Sequence, residues 1–590
     1  MHKSSHSGWV SRTSGRVRLM LMALATVMPI LFAAGCQSAP LPTDAQDACQ
    51  LPAATFASWF ESGSVSLNGV VNPADSTQNL VPNCGFYAWS EQMFMWLTSP
   101  APSAYGGGAH IFDSPAFYDV SPPDASGNRT FIAHTPGLIR AFPLRAAQRG
   151  PHRLPVVIDR SGRLLEFNPP DPKLKPLVRD PSGKLVEIAH VRLENRRFIL
   201  LDREGKVIQA QHAETVVPAA EKRVSNALMV QKFLIDGIPI FLDPSLAVID
   251  VEQGQAGDSS VLEAQTAANG SLVYYATMVN DVYAYFLTGV KDGAITTTTP
   301  GQFPTTLADL NSTIAFATAH GKGSPPFPDP HALAIEVKSS WVVAAGLPNL
   351  SSYITMTATI PTYAQANPNL WTPTGQQTVQ LALVGMHVVG STAGHPEMVW
   401  ATFEHVNNTP AATYSYNSTS GTKQVTQNTS GTWLFAASGS SGPFNIAHMS
   451  FTGPSGTPSN TIQAEPTFTI SPSDTLRSDP WGIDGSNTFS NTEVISMNDH
   501  VLGMMASGDI RGNYIMTGAT WTPFGSPPSG LTPGVGTNRL SNTTMETYQQ
   551  SASNCFTCHQ NGLNPNGLSH IFGGTHDGPG GANTGLQPLF

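Results

Sequence analysis

The residues with the clearest chemical potential lie near the C-terminus, in the run Cys555-Phe-Thr-Cys558-His559. This C-x-x-C-H spacing is the attachment signature of c-type haem. Two thiols at this spacing can form thioethers with the two vinyl groups of one porphyrin, and the adjacent histidine can reach the iron as proximal ligand. The sequence therefore predicts one covalent haem c, with Cys555 and Cys558 as anchors and His559 as the proximal iron ligand.

Two other interpretations of this run remain open. Half of a zinc site would need two further ligands at similar spacing, and the five cysteines of the chain include no second closely spaced pair. A thioredoxin-like dithiol would lie in a βαβ unit, whereas this tail is rich in glycine.

The sixth iron ligand is not evident, because only 31 residues follow His559 and none is methionine. We therefore expect a short C-terminal helical haem c segment, not a standard complete cytochrome c domain, enclosed by the larger body. His570 has apolar neighbours and is the expected distal ligand. The other candidates are His576 downstream and His500, Met504, Met505 and Met545 upstream. A haem iron with two strong axial ligands would make the protein an electron carrier. An open sixth position on the iron would make it an enzyme or a gas sensor.

The first residues predict export. Basic residues precede an uncharged, mostly apolar run over residues 19–35, and small residues stand directly before Cys36. This order is typical of a signal peptide and is similar to a bacterial lipobox, in which the cysteine is acylated. We expect residues 1–35 to be removed and Cys36 to carry a lipid that anchors the protein in the periplasm or at the outer membrane. By resemblance to other lipoproteins, Gln37 after the cysteine favours the outer membrane over the inner membrane. A plain signal peptide cut nearby is the alternative.

Cys49 and Cys84 are the remaining cysteines. In an oxidising compartment they are candidates for a disulfide that closes the N-terminal region. Sequence does not give the distance between two cysteines, so unpaired thiols are the alternative.

Composition excludes several broad classes. Charged residues are 12 % of the chain, against about 25 % in an average domain, and there are 53 Gly and 48 Pro. Hydrophobic residues at 40 % are too many for a disordered chain, and a net charge of −10 disfavours nucleic-acid binding. We expect a turn-rich, mainly β protein with antiparallel sandwich-like sheets, hairpins and a few helices.

The mature chain divides into four expected regions: an N-terminal region with a helix (36–135), a basic β-hairpin region (136–225), a main β-rich body (226–535) and the haem c-binding segment (536–590). Between residues 140 and 223 lie 17 of the 30 Lys and Arg residues, for a local net charge of +7. Asp-x-x-Gly turns that begin at Asp159, Asp180 and Asp202 predict a meander of three hairpins. Their basic face could dock an acidic redox partner or an anionic polymer, or could be a solvated surface.

Hydrophobic periodicity predicts the other elements. We expect a helix over 86–97, a buried helix within 271–287, and strands at 335–338, 354–360, 379–389 and 398–403. Residues 407 to about 535 are expected to be long loops that join short strands. A capping-box pattern, Thr543-x-x-Glu546, predicts a short helix that leads toward Cys555.

One polar cluster has no assigned role. It consists of His387, His395, Glu397, Glu404 and His405. On a strand, residues 404 and 405 point to opposite faces, so Glu404 and His405 cannot line one pocket without a bend. A metal site is the less favoured interpretation, and satisfied core or turn histidines are the more favoured one.

The runs Ile335-Glu-Val-Lys-Ser-Ser-Trp341 and Gly385-Met-His-Val-Val-Gly-Ser-Thr-Ala-Gly-His-Pro-Glu-Met-Val-Trp-Ala-Thr-Phe-Glu-His-Val-Asn-Asn408, with the C-terminal Cys-Phe-Thr-Cys-His, resemble a little-characterised group of exported bacterial proteins of the cytochrome c family. The resemblance covers the C-terminal half. It implies covalent haem and an exported location, but no substrate, and it gives no role to His387, His395 or His405.

The leading hypothesis is a monohaem c-type lipoprotein that transfers single electrons at the cell envelope to a redox partner protein. One alternative is a haem peroxidase or oxygenase with a substrate pocket in the β body, which would explain the size of the chain. Another is a binding module with an appended haem. No catalytic base can be named from the sequence, so whether the protein is an enzyme stays open.

Overall fold

The computed structural model describes residues 41–74, 83–121, 129–140, 156–159, 164–168, 171, 173–194, 197–210, 216–218, 228–235, 238–249, 262–265, 270–295, 302–428, 430–451, 461–465, 468–483, 485–528, 534–548, 550, 555–557, 559, 568, 586–587 and 589. The helices are α1 (Ala53–Trp59), α2 (Asn83–Leu97), α3 (Asp281–Lys291), α4 (Asn311–Ala319) and α5 (Thr488–Met504). None of these helices has the length and hydropathy that a membrane crossing requires.

The strands are β1 (Phe117–Val120), β2 (Arg129–Ala133), β3 (Leu138–Ile139), β4 (Val156–Asp159), β5 (Leu164–Asn168), β6 (Leu177–Arg179), β7 (Leu185–Glu187), β8 (His190–Glu194), β9 (Arg197–Leu201), β10 (Val216–Pro218), β11 (Leu228–Ile235), β12 (Ile238–Leu242), β13 (Val248–Ile249), β14 (Glu263–Ala264), β15 (Ser271–Leu272), β16 (Tyr274–Asn280), β17 (Ile335–Val343), β18 (Thr355–Ala364), β19 (Leu370–Thr392), β20 (His395–His405), β21 (Tyr414–Ser418), β22 (Gly421–Val425), β23 (Met449–Ser450), β24 (Ile462–Ala464), β25 (Tyr514–Trp521), β26 (Val535–Gly536) and β27 (Leu586–Gln587). Among the described residues strand is more abundant than helix, so the fold is mainly β, and this prediction is confirmed.

A 13-stranded sheet organises the molecule, with the order β26-β25-β20-β19-β17-β16-β1-β2-β27 along its main path. These neighbours are antiparallel except β2 and β27, which are parallel. The four predicted strands fall on β17, β18, β19 and β20, where alternating β-branched and apolar residues suit a pleated, buried sheet. The sheet joins strands from the expected N-terminal region, the main body and the C-terminal segment, so these three regions share one architecture.

One face of this sheet is packed by helices. We call it the helix-covered face; it carries Val399, Ala401 and Phe403 of β20, which share a core with α2 and α5. Phe94 of α2 stacks on Phe403 with 4.2 Å between ring centroids. The layer over this face is therefore helical rather than a second sheet of a sandwich. The predicted helix over 86–97 is confirmed within α2.

The opposite face of the sheet is covered by α3 and α4, by irregular chain and by the C-terminal tail, and we call it the tail-covered face. It carries Trp400, Thr402 and Glu404 of β20, which alternate with the residues of the helix-covered face. Trp400 packs with Phe556 of the tail, and Thr402 and Glu404 form hydrogen bonds with residues 542 and 543. This face positions the predicted haem segment.

A disulfide links the N-terminal segment to α2. The sulfur atoms of Cys49 and Cys84 are bonded, with 5.2 Å between the Cα atoms. The amide N–H of Cys49 also donates to the Ser496 hydroxyl of α5 at 2.8 Å. The segment before α1 is therefore fastened to both helices of the helix-covered face.

The basic region forms a sheet and hairpins with a separate core. A six-stranded sheet has the order β10-β4-β5-β11-β12-β13, and β6–β7 and β8–β9 form separate two-stranded sheets. The region therefore continues past residue 225 to Ile249, and its hairpins do not form one continuous meander. The predicted turn chemistry is present at Gly183 and Gly205, whose φ angles are +86° and +76° and whose N–H groups bond to Asp180 and Asp202. The turn after Asp159 lies outside the described residues.

One predicted helix was wrong in extent, and one stretch that was predicted as loops contains a helix. Residues 271–280 are strands, because β16 pairs with β17 along its length; only α3 is helical, and the Asn280 side chain caps it by accepting the Tyr283 N–H at 3.1 Å. The stretch predicted as loops after residue 407 contains the 17-residue helix α5. Val494, Ile495 and Val501 of α5 are buried in the core, and such packing outweighs a weak local helix propensity.

Candidate haem attachment site

The C-x-x-C-H run begins in a tight helical turn. Residues Cys555–Thr557 form a single 3₁₀ turn, and the backbone N–H of His559 donates to the carbonyl oxygen of Cys555 at 3.0 Å. This bond spans four residues, as in an α-helix, and it brings the first anchor and the proximal histidine onto one turn. Cys558, His570 and Cys36 lie outside the described residues.

The imidazole of His559 is held by a backbone carbonyl. Its Nδ1 lies 2.5 Å from the carbonyl oxygen of Leu568. Because a carbonyl can only accept, Nδ1 carries the proton, and the ring lone pair is on Nε2. Histidines that bind metals commonly have this arrangement, with one ring N–H bound to a carbonyl or carboxylate and the other nitrogen presented to the metal.

Apolar and aromatic side chains surround the run. The ring centroids of His559 and Trp400 are 4.3 Å apart. The rings of Phe556 and Trp400 form a T-shaped pair with 6.1 Å between centroids. Phe556 and Leu568 are completely buried, in one cluster with residues of β1, β16, α3 and α4. A porphyrin needs such an apolar wall, so the described residues fit a haem that is attached here.

The end of the chain closes over the same cluster. Strand β27 adds to the edge of the large sheet beside β2, with Arg129 opposite Leu586. Leu589 packs against the cluster, and its N–H donates to the Thr288 hydroxyl of α3 at 3.3 Å. The described parts of the tail therefore meet the cluster both before and after His559, as expected for a segment enclosed by the body.

A buried ion pair holds the chain that leads to the motif. We call residues 540–548 the linker segment. The guanidinium of Arg477 donates to Glu404 from Nη2 at 2.7 Å and from Nε at 3.2 Å. The same carboxylate accepts the N–H of Thr543 at 2.6 Å and its hydroxyl at 2.7 Å. Glu404 is therefore a structural carboxylate with both oxygens occupied.

Neutral hydrogen bonds extend this attachment along the sheet. The Asn542 amide donates to the Thr402 hydroxyl at 2.9 Å and to the Phe403 carbonyl at 3.0 Å. The hydroxyls of Ser340 and Thr544 lie 2.6 Å apart. Gly385 leaves the necessary space, because a Cβ atom there would lie 2.6 Å from the Thr544 hydroxyl. The linker segment therefore lies against the middle of the sheet.

The expected helix from the capping box is replaced by turns. Thr543 binds Glu404 instead of its own backbone, and Glu546 accepts from the N–H of Asn542 at 2.7 Å and lies 3.0 Å from Nε2 of His387. Residues 543–548 are turns in the structure. The prediction of a helix there was wrong, because Glu404 takes up the Thr543 side chain that would have capped it.

The structure gives His387 and Glu404 a common role but separates the rest of the polar cluster. His387 and Glu404 both hold the linker segment, on the tail-covered face. His395 Nδ1 lies 2.8 Å from Glu397 Oε1, which also accepts the Thr522 N–H. Within the described residues, the only group of three side chains placed to share a metal is Cys49, Cys84 and Glu493, and it includes the two disulfide sulfurs.

His405 lies on the other face from Glu404, as the strand alternation predicts. Its ring stacks on Tyr353 at 3.8 Å, and its Nε2 lies 3.2 Å from the Ser352 carbonyl. Burial lowers the pKa of His405 to about 3, although the hydrogen bond to Ser352 opposes the shift. His405 is therefore a neutral core histidine.

Most of the upstream ligand candidates lie on the other side of the large sheet from His559. His500, Met504 and Met505 belong to the end of α5, and both methionines pack against the core of the helix-covered face. His500 Nε2 lies 2.7 Å from Asp47. Met545 is completely buried within the linker segment. The structure therefore leaves these residues, apart from Met545, on the face opposite to His559.

Sequence analysis missed three residues at this site: Trp400, Leu568 and Met398. Met398 is completely buried in the cluster that contains Phe556. The spacing of Met398 and Trp400, two residues apart on one strand, places both on one face and could have indicated them. No pattern in the sequence indicates the carbonyl of Leu568. No protein-family model, curated protein or solved structure matches the chain.

Proposed function

We propose that the chain is an exported monohaem c-type cytochrome that passes single electrons at the bacterial cell envelope. Bound haem c supplies a one-electron couple between ferric and ferrous iron. Cys555 and Cys558 would hold the porphyrin through thioethers, and His559 would ligate the iron through Nε2. The observation that carries the proposal is a C-x-x-C-H run whose histidine has Nδ1 bound to a carbonyl, within an apolar cluster.

The partner of Nδ1 favours a carrier over a haem peroxidase or oxygenase. A carboxylate at this position would draw the proton from the imidazole and push electron density toward the iron, which assists cleavage of an O–O bond. The acceptor here is the neutral carbonyl of Leu568. His559 then remains a neutral imidazole ligand, which suits reversible electron transfer.

For the sixth ligand we retain His570. Phe556 and Leu568 lie in one buried cluster, and His570 follows Leu568 by two residues in the sequence. Met398 is the alternative, because it is buried in that cluster and a thioether is an established haem ligand.

We also propose that Cys36 carries a lipid that holds the protein in the periplasm or at the outer membrane. The order of basic, apolar and small residues before Cys36 supports this. Metabolic labelling with a radioactive fatty acid tests it: wild type should be labelled and Cys36→Ser should not. Labelling of both proteins, or of neither, would exclude lipidation at Cys36.

The expected redox partner is an acidic protein that docks on the basic region. Among the described residues of this region, six cationic side chains are exposed: Lys173, Lys175, Lys184, Arg192, Arg203 and Lys206. Glu187 pairs with Lys175 at 3.4 Å and with Arg203 at 2.9 Å, so part of this charge is neutralised. If charge steers docking, the rate of electron transfer between the two proteins should fall as ionic strength rises.

The absorption spectrum, oxidised and reduced, tests the function directly. The chain is co-expressed with a c-type haem maturation system, beside a Cys555→Ala/Cys558→Ala variant that should carry no covalent haem. A low-spin spectrum that carbon monoxide does not change supports the electron carrier. A high-spin spectrum that shifts with carbon monoxide or peroxide supports the haem enzyme, and no covalent haem in wild type would refute both.

Single substitutions assign the distal ligand in the same experiment. His570→Ala should convert the low-spin spectrum to high-spin. His500→Ala and Met504→Leu are matched controls on the opposite face, and they should leave the spectrum unchanged. If His570→Ala keeps the low-spin spectrum but Met398→Leu loses it, Met398 is the ligand and the assignment to His570 is wrong.

A further inference from the structure

We infer that Trp400 is a positioning residue that fixes the ring plane of His559 under the haem. The inference rests on the proposed function, because the plane of an imidazole matters to the iron only if the imidazole is its ligand. It adds to that function a residue outside the C-x-x-C-H run that decides how the proximal ligand is oriented.

Two hydrogen bonds place the side chain of His559, and packing beside the ring can orient it further. The backbone N–H is bound to Cys555, and Nδ1 is bound to Leu568. These bonds fix the start of the side chain and one ring atom. A single hydrogen bond from Nδ1 to a carbonyl oxygen still tolerates some tilt of the ring plane, and contact with a packed side chain beside the ring reduces that tilt.

Trp400 makes that contact. The two rings lie 4.3 Å apart between centroids, with 44° between their planes. Trp400 is itself only 7 % exposed, and its neighbours are the edge of Phe556 and the two paired strands β19 and β25. An indole on the middle of a sheet is a rigid surface, so it can set the angle of the ring that rests on it.

The indole of Trp400 is fixed in turn by an unusual backbone conformation. Its Nε1–H donates to the carbonyl oxygen of Glu397 at 3.0 Å, three residues earlier on the same strand. A regular extended strand would not bring these groups together. Met398 lies between them with φ +69°, a left-handed conformation that residues other than glycine rarely adopt. The bend at Met398 turns the Glu397 carbonyl toward the indole, and such strain is often retained where a side chain must be aimed.

The plane of an axial imidazole selects which iron d orbitals it overlaps, and it therefore changes the g values of ferric haem and the order of the haem-methyl proton shifts. We expect Trp400→Leu, which removes the aromatic ring, to shift both sets of values. Trp400→Phe keeps a ring without the N–H anchor and should broaden the signals or give more than one set. Trp521→Phe is the control, since Trp521 lies on the neighbouring strand but stacks on Phe86 on the helix-covered face.

Unchanged g values and haem-methyl shifts in Trp400→Leu would overturn the inference. If Trp400→Leu does not fold, Trp400→Phe decides: a spectrum identical to that of wild type counts against positioning. A second measurement needs no haem. In the full chain with Cys555→Ala and Cys558→Ala, the ring current of Trp400 should displace the His559 ring proton resonances, and Trp400→Leu should abolish this displacement. This second result stands even if wild type acquires no haem, so the failure of the proposed function and the failure of this inference are distinguishable.

Discussion

The helices α2 and α5 on the helix-covered face and the linker segment on the tail-covered face are held to the large sheet by different physical means. On the helix-covered face, α2 and α5 bury aromatic and aliphatic side chains against the sheet, as where Phe94 stacks on Phe403. On the tail-covered face, the linker segment lies on Glu404, Thr402 and Ser340 and is held mainly by hydrogen bonds. Burial of apolar area stabilises a fold without strict geometry, whereas buried polar contacts stabilise it only when every partner is in place.

This difference indicates how the proposed haem segment can be ordered by contacts with the body. The described residues of this segment pack against the body, which forms one wall of their environment. Polar contacts also fix the register of the linker segment, because a shift by one residue would move Thr543 away from Glu404 and Asn542 away from Thr402. The polar contacts on the tail-covered face therefore determine where the linker segment lies more than they stabilise the fold.

The largest effect that we expect on the tail-covered face follows from removal of the Glu404 carboxylate. Glu404→Ala leaves Arg477 buried and unpaired and also removes both bonds to Thr543, which should destabilise the fold by about 3–5 kcal/mol. Limited proteolysis should then release the C-terminal tail at denaturant concentrations where the rest of the chain is folded. Replacing both charges with Glu404→Leu and Arg477→Met should recover part of the stability. If Glu404→Ala unfolds in one step with no early cleavage of the tail, the two faces do not differ as we argue.

A core truncation on the helix-covered face is the matched counterpart. Phe94→Ala removes a buried ring that stacks on Phe403 and should also cost about 3–5 kcal/mol. Here we expect the loss in global unfolding, measured by denaturant titration, with no early release of the tail. Early release of the tail in this variant would show that the helices, and not the polar contacts, hold it.

Two glycines on β19 sharpen the comparison with a smaller perturbation. A Cβ at Gly385 would lie 2.6 Å from the Thr544 hydroxyl, and a Cβ at Gly390 would overlap the side chain of Ile335 and lie 3.0 Å from Trp89. Each substitution by alanine should cost about 1–3 kcal/mol through overpacking. Gly385→Ala should increase hydrogen exchange in the linker segment, and Gly390→Ala should increase it in α2. The reverse pattern would contradict the assignment of the faces.

The parts of the fold that the sequence predicts well are those with local causes. The β17, β18, β19 and β20 strands follow from alternation, and α2 follows from its helical apolar spacing. The Asp-x-x-Gly turns at Gly183 and Gly205 follow from the need for positive φ. Helix α5 was not predicted, because its Ser, Thr and Asn residues have weak helix propensity and its stability comes from packing that the sequence does not display.

At the candidate site, the same division holds. The C-x-x-C-H run is a local pattern, so the proposed anchors and proximal ligand come from the sequence alone. The carbonyl of Leu568, the ring of Trp400 and the pair of Glu404 and Arg477 come from distant parts of the chain or from the backbone. Such contacts depend on topology, and a single sequence gives no topology for a sheet with crossovers.

The smallest effect that we expect is a pH dependence of the tail that the helix-covered face should not share. Burial raises the pKa of Glu546, but the charges of His387 and Lys338 and the bonds from His387 and the Asn542 N–H outweigh it, so the pKa of Glu546 lies below its ordinary value of 4.5. A carboxyl group with a lowered pKa in the folded state contributes stability above its unfolded value and loses it as pH falls through the folded value.

We therefore expect protection of the linker segment from hydrogen exchange, after correction for the intrinsic rate, to be constant near neutral pH and to fall once the pH is below 4.5. Glu546→Gln removes the charge and should flatten this dependence, with less protection at neutral pH than wild type. His405 provides the contrast on the other face: its pKa is lowered to about 3, so protonation of the unfolded chain already weakens global stability as pH falls below the ordinary value of 6.5. If the linker segment and the global fold lose protection over the same pH range in wild type, and Glu546→Gln changes neither, then the tail has no separate electrostatic attachment and the two faces act as one unit.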